Sequence, residues 1–367
     1  MFMRFVKTGE LKTGMRIARP IYNKKGVLLY ERDSKLTDAA INSIKNFGLI
    51  GIFILEPAEP CPPMSADDIE FERFQTVQVY ALNDELHSII NSKRSKKIDI
   101  IAAAVEKNYG HLNRKINFIQ NLRSREDFVC KHSLNVAILS ALMCHRMNVQ
   151  VDEFNDCILA SLVHDIGKLM VPDALLQGED EAELERIYET SQVTGFDFIE
   201  TVFSANPNIR RICQQTQKKL FDFKCGNAED NMKLVIGSKI MMVSETYDSL
   251  TAMSESGEPK SEVEAIRYLT SNPQIFDKRA VAALIDSINV LSNGTCVELS
   301  NGEKALVISV NSMDVLHPMV LIFSSNQIVD LSDRVMFDDL EIVDIMKSMD
   351  DRYVMNSEQL KNLGITQ

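Results

Sequence analysis

Short apolar runs alternate with turn residues over the first 55 positions, the spacing of strands in a small α+β unit. Met15-Arg16-Ile17-Ala18 and Gly26-Val27-Leu28-Leu29-Tyr30 read as strands flanking an Asn23-Lys24-Lys25-Gly26 turn. Thr37 is placed as the N-cap of a helix over 38–47, with Gly48 as its stop. Residues 50–55 read as a closing strand. Positions 56–63, Glu-Pro-Ala-Glu-Pro-Cys-Pro-Pro, form a stiff linker.

From 65 to about 289 the apolar period lengthens to that of helices. Val136, Leu139 and Met143 follow His132 at helical steps, and Ser261-Glu262-Val263-Glu264 carries a capping-box signature. The basic run Lys93-Arg94-Ser95-Lys96-Lys97 reads as a solvated helix face or loop. After Thr295 the pattern returns to strands. Cys296-Val297-Glu298-Leu299 and Ala305-Leu306-Val307-Ile308 bracket an Asn301-Gly302 hairpin turn, and further strands lie at 320–323 and near Ile328. The expected fold is multidomain and mainly α. An α+β domain (1–56) and linker (57–66) precede an all-helical domain (67–291), a β appendage (292–345) and a tail (346–367).

Forty Lys and Arg against 52 Asp and Glu give a net charge of −12, which disfavours extended nucleic acid and anionic membranes as partners. The first 60 residues are the exception, with ten basic and six acidic side chains. Seven cysteines without a CxxC pair read as thiols in a reducing compartment. Neither a signal-peptide core nor a run of about 18 apolar residues is evident, so a cytoplasmic protein is expected. The long helical stretch near 67–107 would suit a homodimer interface.

Six histidines are present, and two sit in suggestive places. His164 precedes Asp165 in Leu-Val-His-Asp-Ile-Gly-Lys, and His132 lies 32 positions earlier. An adjacent His-Asp pair near a helix end can present imidazole nitrogen and carboxylate oxygen to one cation. His132 from a second helix and Glu245 from a later one would complete a mixed N/O set suited to Fe, Mn, Zn, Co or Ni. On spacing alone, a His-Asp pair is more often an ordinary helix-end hydrogen bond than a metal site. Arg210-Arg211 and Lys218-Lys219 read as a solvated helix face, with phosphate contact as the alternative.

His132-Ser133-Leu134-Asn135-Val136-Ala137, then His164-Asp165-Ile166-Gly167-Lys168, then Val243-Ser244-Glu245-Thr246-Tyr247-Asp248-Ser249-Leu250 resemble the ordered motifs of the HD superfamily. More narrowly, they resemble its HD-GYP branch of bacterial cyclic di-GMP phosphodiesterases. Residues 11–55 and 294–310 are similar to the small domain and the β segment that often flank such modules. The resemblance implies metal ligation by His132, His164, Asp165 and Glu245. It also implies catalytic roles for Asp165 and for Lys168, placed near the scissile phosphate.

Departures from that pattern change the expectation. Ser191 stands where a histidine four residues before Gly195 is expected, Gln215-Thr216-Gln217 where a His-His-Glu triplet belongs, and 220–226 contain no Gly-Tyr-Pro. Glu245 replaces an Asp, and Phe128 occupies the position of a Glu found in some members. No histidine occurs between His164 and His317, so one divalent metal is expected and a second is not. The expected function is a degenerate HD-GYP module, a pseudoenzyme of cyclic di-GMP signalling with weak or no phosphodiesterase activity. It would act by binding cyclic di-GMP, another nucleotide or a protein partner. The alternative is an active phosphohydrolase with a mononuclear HD site.

Overall fold

The computed structural model describes residues 3–23, 27–55, 65–120, 122–124, 126–172, 175, 181–226, 232–253, 259–337 and 339–345. The linker at 57–64, Cys61, the Lys24-Lys25-Gly26 turn and the tail 346–367 lie outside the described residues.

The first unit is built on β1 (Met3–Lys7), β2 (Arg16–Ile17), β3 (Ile21–Tyr22), β4 (Leu28–Tyr30), α1 (Asp38–Asn46) and β5 (Gly51–Leu55). β5 lies between β1 and β2 in an antiparallel sheet, where Phe5 faces Phe53 with ring centroids 5.9 Å apart. Gly51 admits that packing, because a Cβ there would strike the Phe5 ring. Thr37 caps α1 by accepting from the Ala40 amide, and Gly48 leaves the helix at φ 66°. One expectation needs correction. The partner of β4 is β3, not residues 15–18, which pair instead with β5. Ile21–Tyr22 directly precedes the turn, so it closes the shorter loop and leaves Arg16–Ile17 for the larger sheet.

The helical unit comprises α2 (Ala66–Ser92), α3 (Ile98–Tyr109), α4 (Phe128–Arg146), α5 (Val151–Val163), α6 (Glu181–Val202), α7 (Pro207–Lys224), α8 (Ile236–Thr251), α9 (Glu262–Ser271) and α10 (Lys278–Ile285). The basic run breaks α2 from α3. Lys93 turns left-handed at φ 55°, and Glu85 Oε1 accepts from the Lys96 and Lys97 amides at 2.6 and 2.8 Å. α4 runs through the centre against α2, α3, α5, α8 and α10. It is buried nearly all round from Cys130 to Cys144. By length and composition α4 is apolar enough to cross a membrane, but here it is a core helix. Its buried polar residues, His132, Ser133, Asn135 and Ser140, all lie inside the protein.

The last unit is a five-stranded antiparallel sheet in the order β10-β6-β7-β8-β9, from β6 (Cys296–Leu299), β7 (Lys304–Ser309), β8 (Met319–Ile322), β9 (Ile328–Asp330) and β10 (Ile342–Ile345). The Asn301-Gly302 turn joins β6 to β7, with Gly302 at φ 81°. Val297, Val307 and Val320 belong to the same apolar core as the helices, and Arg267 of α9 donates to the Ile342 and Val343 carbonyls. The first unit keeps its own core around Val6, Ile17, Leu36, Ile44 and Ile52. It is stitched to the helices through Gln120 and Arg123. The Ile50 amide donates to the Arg123 carbonyl at 3.0 Å, and the Arg19 guanidinium donates to the Gln120 carbonyl.

Candidate metal centre

Three helices carry the candidate ligands, and small hydroxyl residues let them approach closely. Ser161 of α5, Ser140 of α4 and Ser244 of α8 form a chain of buried hydroxyls at 3.1 and 2.8 Å. Above that chain lie His132 on α4, His164 at the end of α5, Asp165 beside it and Glu245 on α8. His132, His164 and Asp165 bring their ligand atoms within 4.8 Å of one another. Glu245 Oε2 lies 2.7 Å from His132 Nε2 and 3.0 Å from His164 Nε2. The methylene that distinguishes Glu from Asp therefore does not hold the carboxylate away from the imidazoles. Asp165 Oδ2 is 3.6 Å from His164 Nε2 and 3.9 Å from His132 Nε2.

The outer nitrogens fix which atoms face inward. His164 Nδ1 lies 2.8 Å from the Ser161 carbonyl, which can only accept, so Nδ1 carries the hydrogen. His132 Nδ1 lies 2.6 Å from Asp248 Oδ2. Burial alone would raise the Asp248 carboxyl, but the Arg123 guanidinium and His132 outweigh it and hold it at about 2. An ionised Asp248 makes His132 Nδ1 a donor as well. His132 Nε2 then faces Glu245 Oε2, and His164 Nε2 lies beside the same oxygen; when the two rings carry protons, their charge outweighs burial and holds Glu245 well below its ordinary value. Nε2 of His164, on a side chain 5% exposed, has no well-aligned hydrogen-bond partner among the described residues, although Glu245 Oε2 lies 3.0 Å away.

Two lone pairs facing a carboxylate repel unless a proton or a cation lies between them. With protons alone, burial opposes the charge on His132, but Glu245 and Asp248 drive it up to about 10. A divalent ion answers the same need. Ligand atoms about 2.0–2.2 Å from one ion stand roughly 3–4 Å from one another, the range spanned by His164 Nε2, Asp165 and Glu245. The donor set of two imidazoles and two carboxylates fits a first-row divalent ion.

The surroundings hold this set in place through residues whose roles the sequence left unassigned. Asp248 also receives Arg123 Nη2 at 2.5 Å, Asn135 Nδ2 at 2.8 Å and Gln120 Nε2 at 2.9 Å. Arg123 is wholly buried and stacks over Phe128 at 5.0 Å, so the position expected to bear a Glu in some relatives supplies a ring instead. Asp248 follows Glu245 by three residues and so shares its helix face, a signal present in the sequence. Arg123 has no such signal. Lys168 Nζ donates to Asp165 Oδ2 at 2.6 Å, and Gln192 Nε2 donates to Asp165 Oδ1 at 2.5 Å. Burial opposes the Lys168 charge, but Asp165 and Glu245 raise it further.

Gln215, Thr216 and Ser191, which stand where the resemblance leads one to expect histidines, are engaged elsewhere. Gln215 Oε1 accepts from the Val235 amide and the Ser238 hydroxyl, each at 3.0 Å, and Gln215 Nε2 donates to the Lys233 carbonyl. Thr216 donates to the Ser238 carbonyl. Both side chains tie α7 to the start of α8. Ser191 donates to the Tyr188 carbonyl of its own helix at 2.7 Å. Arg210 pairs with Glu200 and Asp197 of α6. α6 itself packs against the Ile166–Met170 turn at Gly167 and Gly195, where a Cβ on Gly167 would overlap the Ser191 carbonyl.

Residues 98–279 match the family model described as HD domain. A cyclic di-GMP phosphodiesterase of Pseudomonas aeruginosa is 22% identical over 259 residues, which cover 66% of this chain and 60% of the relative. The match thus spans less than two thirds of that protein's length.

Proposed function

We propose that this chain, whose residues 98–279 match the HD domain, is an HD-GYP-type cyclic di-GMP signalling module with one divalent metal and weak or no phosphodiesterase activity. His132, His164, Asp165 and Glu245 would hold the ion. When bound, it would supply Lewis acidity toward a phosphoryl oxygen. Asp248 fixes the His132 tautomer, the Ser161 carbonyl fixes that of His164, and Gln192 with Lys168 orients Asp165. Lys168, 24% exposed, stands at the rim, where a ligand phosphate would compete with Asp165 for its ammonium.

The observation that carries this reading is the engagement of Gln215. Its amide cannot turn toward a second ion without releasing the Val235 amide and the Ser238 hydroxyl. Hydrolysis by two cations needs donors on both sides of the phosphate, and this chain supplies no imidazole between His164 and His317. The module would then act by binding cyclic di-GMP or a protein partner.

A second reading has its own support. The four donors converge with Lys168 beside them, which is the minimum for a mononuclear phosphohydrolase acting on cyclic di-GMP or another nucleotide.

Elemental analysis and turnover assays on the full chain test both. Near one equivalent of Fe, Mn, Zn, Co or Ni, calorimetric binding of cyclic di-GMP and no linear product support the first. Turnover lost in Asp165→Ala supports the second. Two equivalents of metal with brisk cleavage would overturn the first.

A further inference from the structure

A cleft of about 590 Å³ lies between the first unit and the helices. Strand β3 and the end of α1 form one wall, the middle of α2 another, and Ile119, Gln120, Leu122, Ser124, Glu126 and Asp127 the floor. Its volume is that of a small-ligand site. Glu72 of α2 lines it, is 8% exposed, and has an Oε2 atom with no hydrogen-bond partner among the described residues. A buried carboxylate oxygen left unmatched in this way is costly unless something else supplies the donor.

The walls indicate what that donor is. Asp84, Glu126 and Asp127 line the cleft with Glu72, against Arg19 and Lys131. Lys131 is matched by Asp127 at 2.6 Å, and Arg19, held over the Phe53 ring and donating to the Gln120 carbonyl, offsets the Glu72 charge only in part. The lining is therefore acidic, although the first unit as a whole is basic. Tyr22, Phe47 and Tyr80 supply aromatic surface. Carboxylates beside aromatic rings suit an ammonium or guanidinium on a short apolar stem, and disfavour a phosphate.

We propose that this interdomain cleft binds a small organic cation, an amine or guanidine, whose charged head donates to Glu72. The inference goes beyond the reading of the HD centre and does not require it to turn over a nucleotide. The cleft floor reaches that centre through few bonds. Gln75 donates to Asn135 Oδ1 at 2.9 Å, and Gln120 donates to Asp248 Oδ1 at 2.9 Å. Both residues line the cleft, and Asp248 orients His132. An occupant therefore presses on side chains that set the His132 ring.

Agmatine is the probe, with 1-pentanol as its uncharged counterpart, both added to the full chain. At about 10 mM agmatine the melting temperature rises by roughly 2–4 °C, and 1-pentanol leaves it unchanged. Glu72→Gln loses the rise. Hydrogen exchange on wild-type protein slows in 72–84 and 119–124 when agmatine is present, a readout that needs no variant. No thermal shift at this concentration, an equal shift in Glu72→Gln, or slowing confined to other segments would each overturn the assignment.

Discussion

Asp248 Oδ2 sits 2.6 Å from His132 Nδ1 and 2.5 Å from the buried Arg123 guanidinium, so one carboxylate both orients an imidazole and neutralises a cation. Asp248→Asn keeps the shape but removes the charge. Arg123 is then left buried without its counter-ion, and His132 loses the partner that fixes its tautomer. A 10–100-fold loss of metal affinity is expected, of the order seen when such outer hydrogen bonds are removed. Stability falls by about 3–5 kcal/mol. Metal titration and urea unfolding measure the two effects separately. Unchanged affinity would remove Asp248 from the orienting role.

Gln215→His tests whether the missing second centre can be restored by one imidazole. The variant breaks the bonds to Val235 and Ser238 that tie α7 to α8. The bound metal stays near one equivalent, and stability drops by about 1–3 kcal/mol. A gain to two equivalents with unchanged stability would show that the α7–α8 tie is dispensable.

Gly167→Ala places a methyl group against the Ser191 carbonyl, where α6 crosses the turn after Asp165. Helix and turn must separate, carrying Gln192 away from Asp165 Oδ1. Destabilisation of about 1–3 kcal/mol is expected, with weaker metal retention after dialysis. Gly226→Ala is the control. Its backbone is left-handed at φ 76° and its Cβ meets nothing within 4 Å, so any cost there is conformational and leaves the metal in place.

These expectations mix what the sequence makes legible with what only the fold supplies. Thr37 with Gly48, Ser261 with Glu264, and Asn301-Gly302 encode their elements locally, because caps and tight turns are decided within a few residues. The ordered His132, His164-Asp165 and Glu245 motifs point to one cluster by resemblance, and the four side chains do meet. Arg123 and Gln120 were not legible. Each lies more than a hundred residues from Asp248, on an irregular segment with no periodicity to assign. The β3–β4 pairing escapes the sequence for a similar reason, since strands of two and three residues leave no alternation to count. Glu72 gave no sign at all. Its burial comes from the first unit folding back over α2, which a linker outside the described residues connects.

Burial raises the Glu72 carboxyl from 4.5 to about 7, only partly offset by the Arg19 charge. A group whose folded pKa lies above its unfolded value favours the fold at low pH. That contribution is complete below about 4.5 and is lost as pH rises through 7. The loss corresponds to about 3 kcal/mol between pH 4 and pH 8, at 1.36 kcal/mol per unit. Glu72→Gln has no charge to bury, so it removes the pH-dependent penalty. Measured without added cations, the variant should be more stable than wild type at pH 8, and the difference should shrink to near zero by pH 4.5. Groups other than Glu72 titrate alike in both proteins and cancel in the difference. Unfolding curves at several pH values give the comparison, and parallel curves would mean that Glu72 is not buried as the cleft requires.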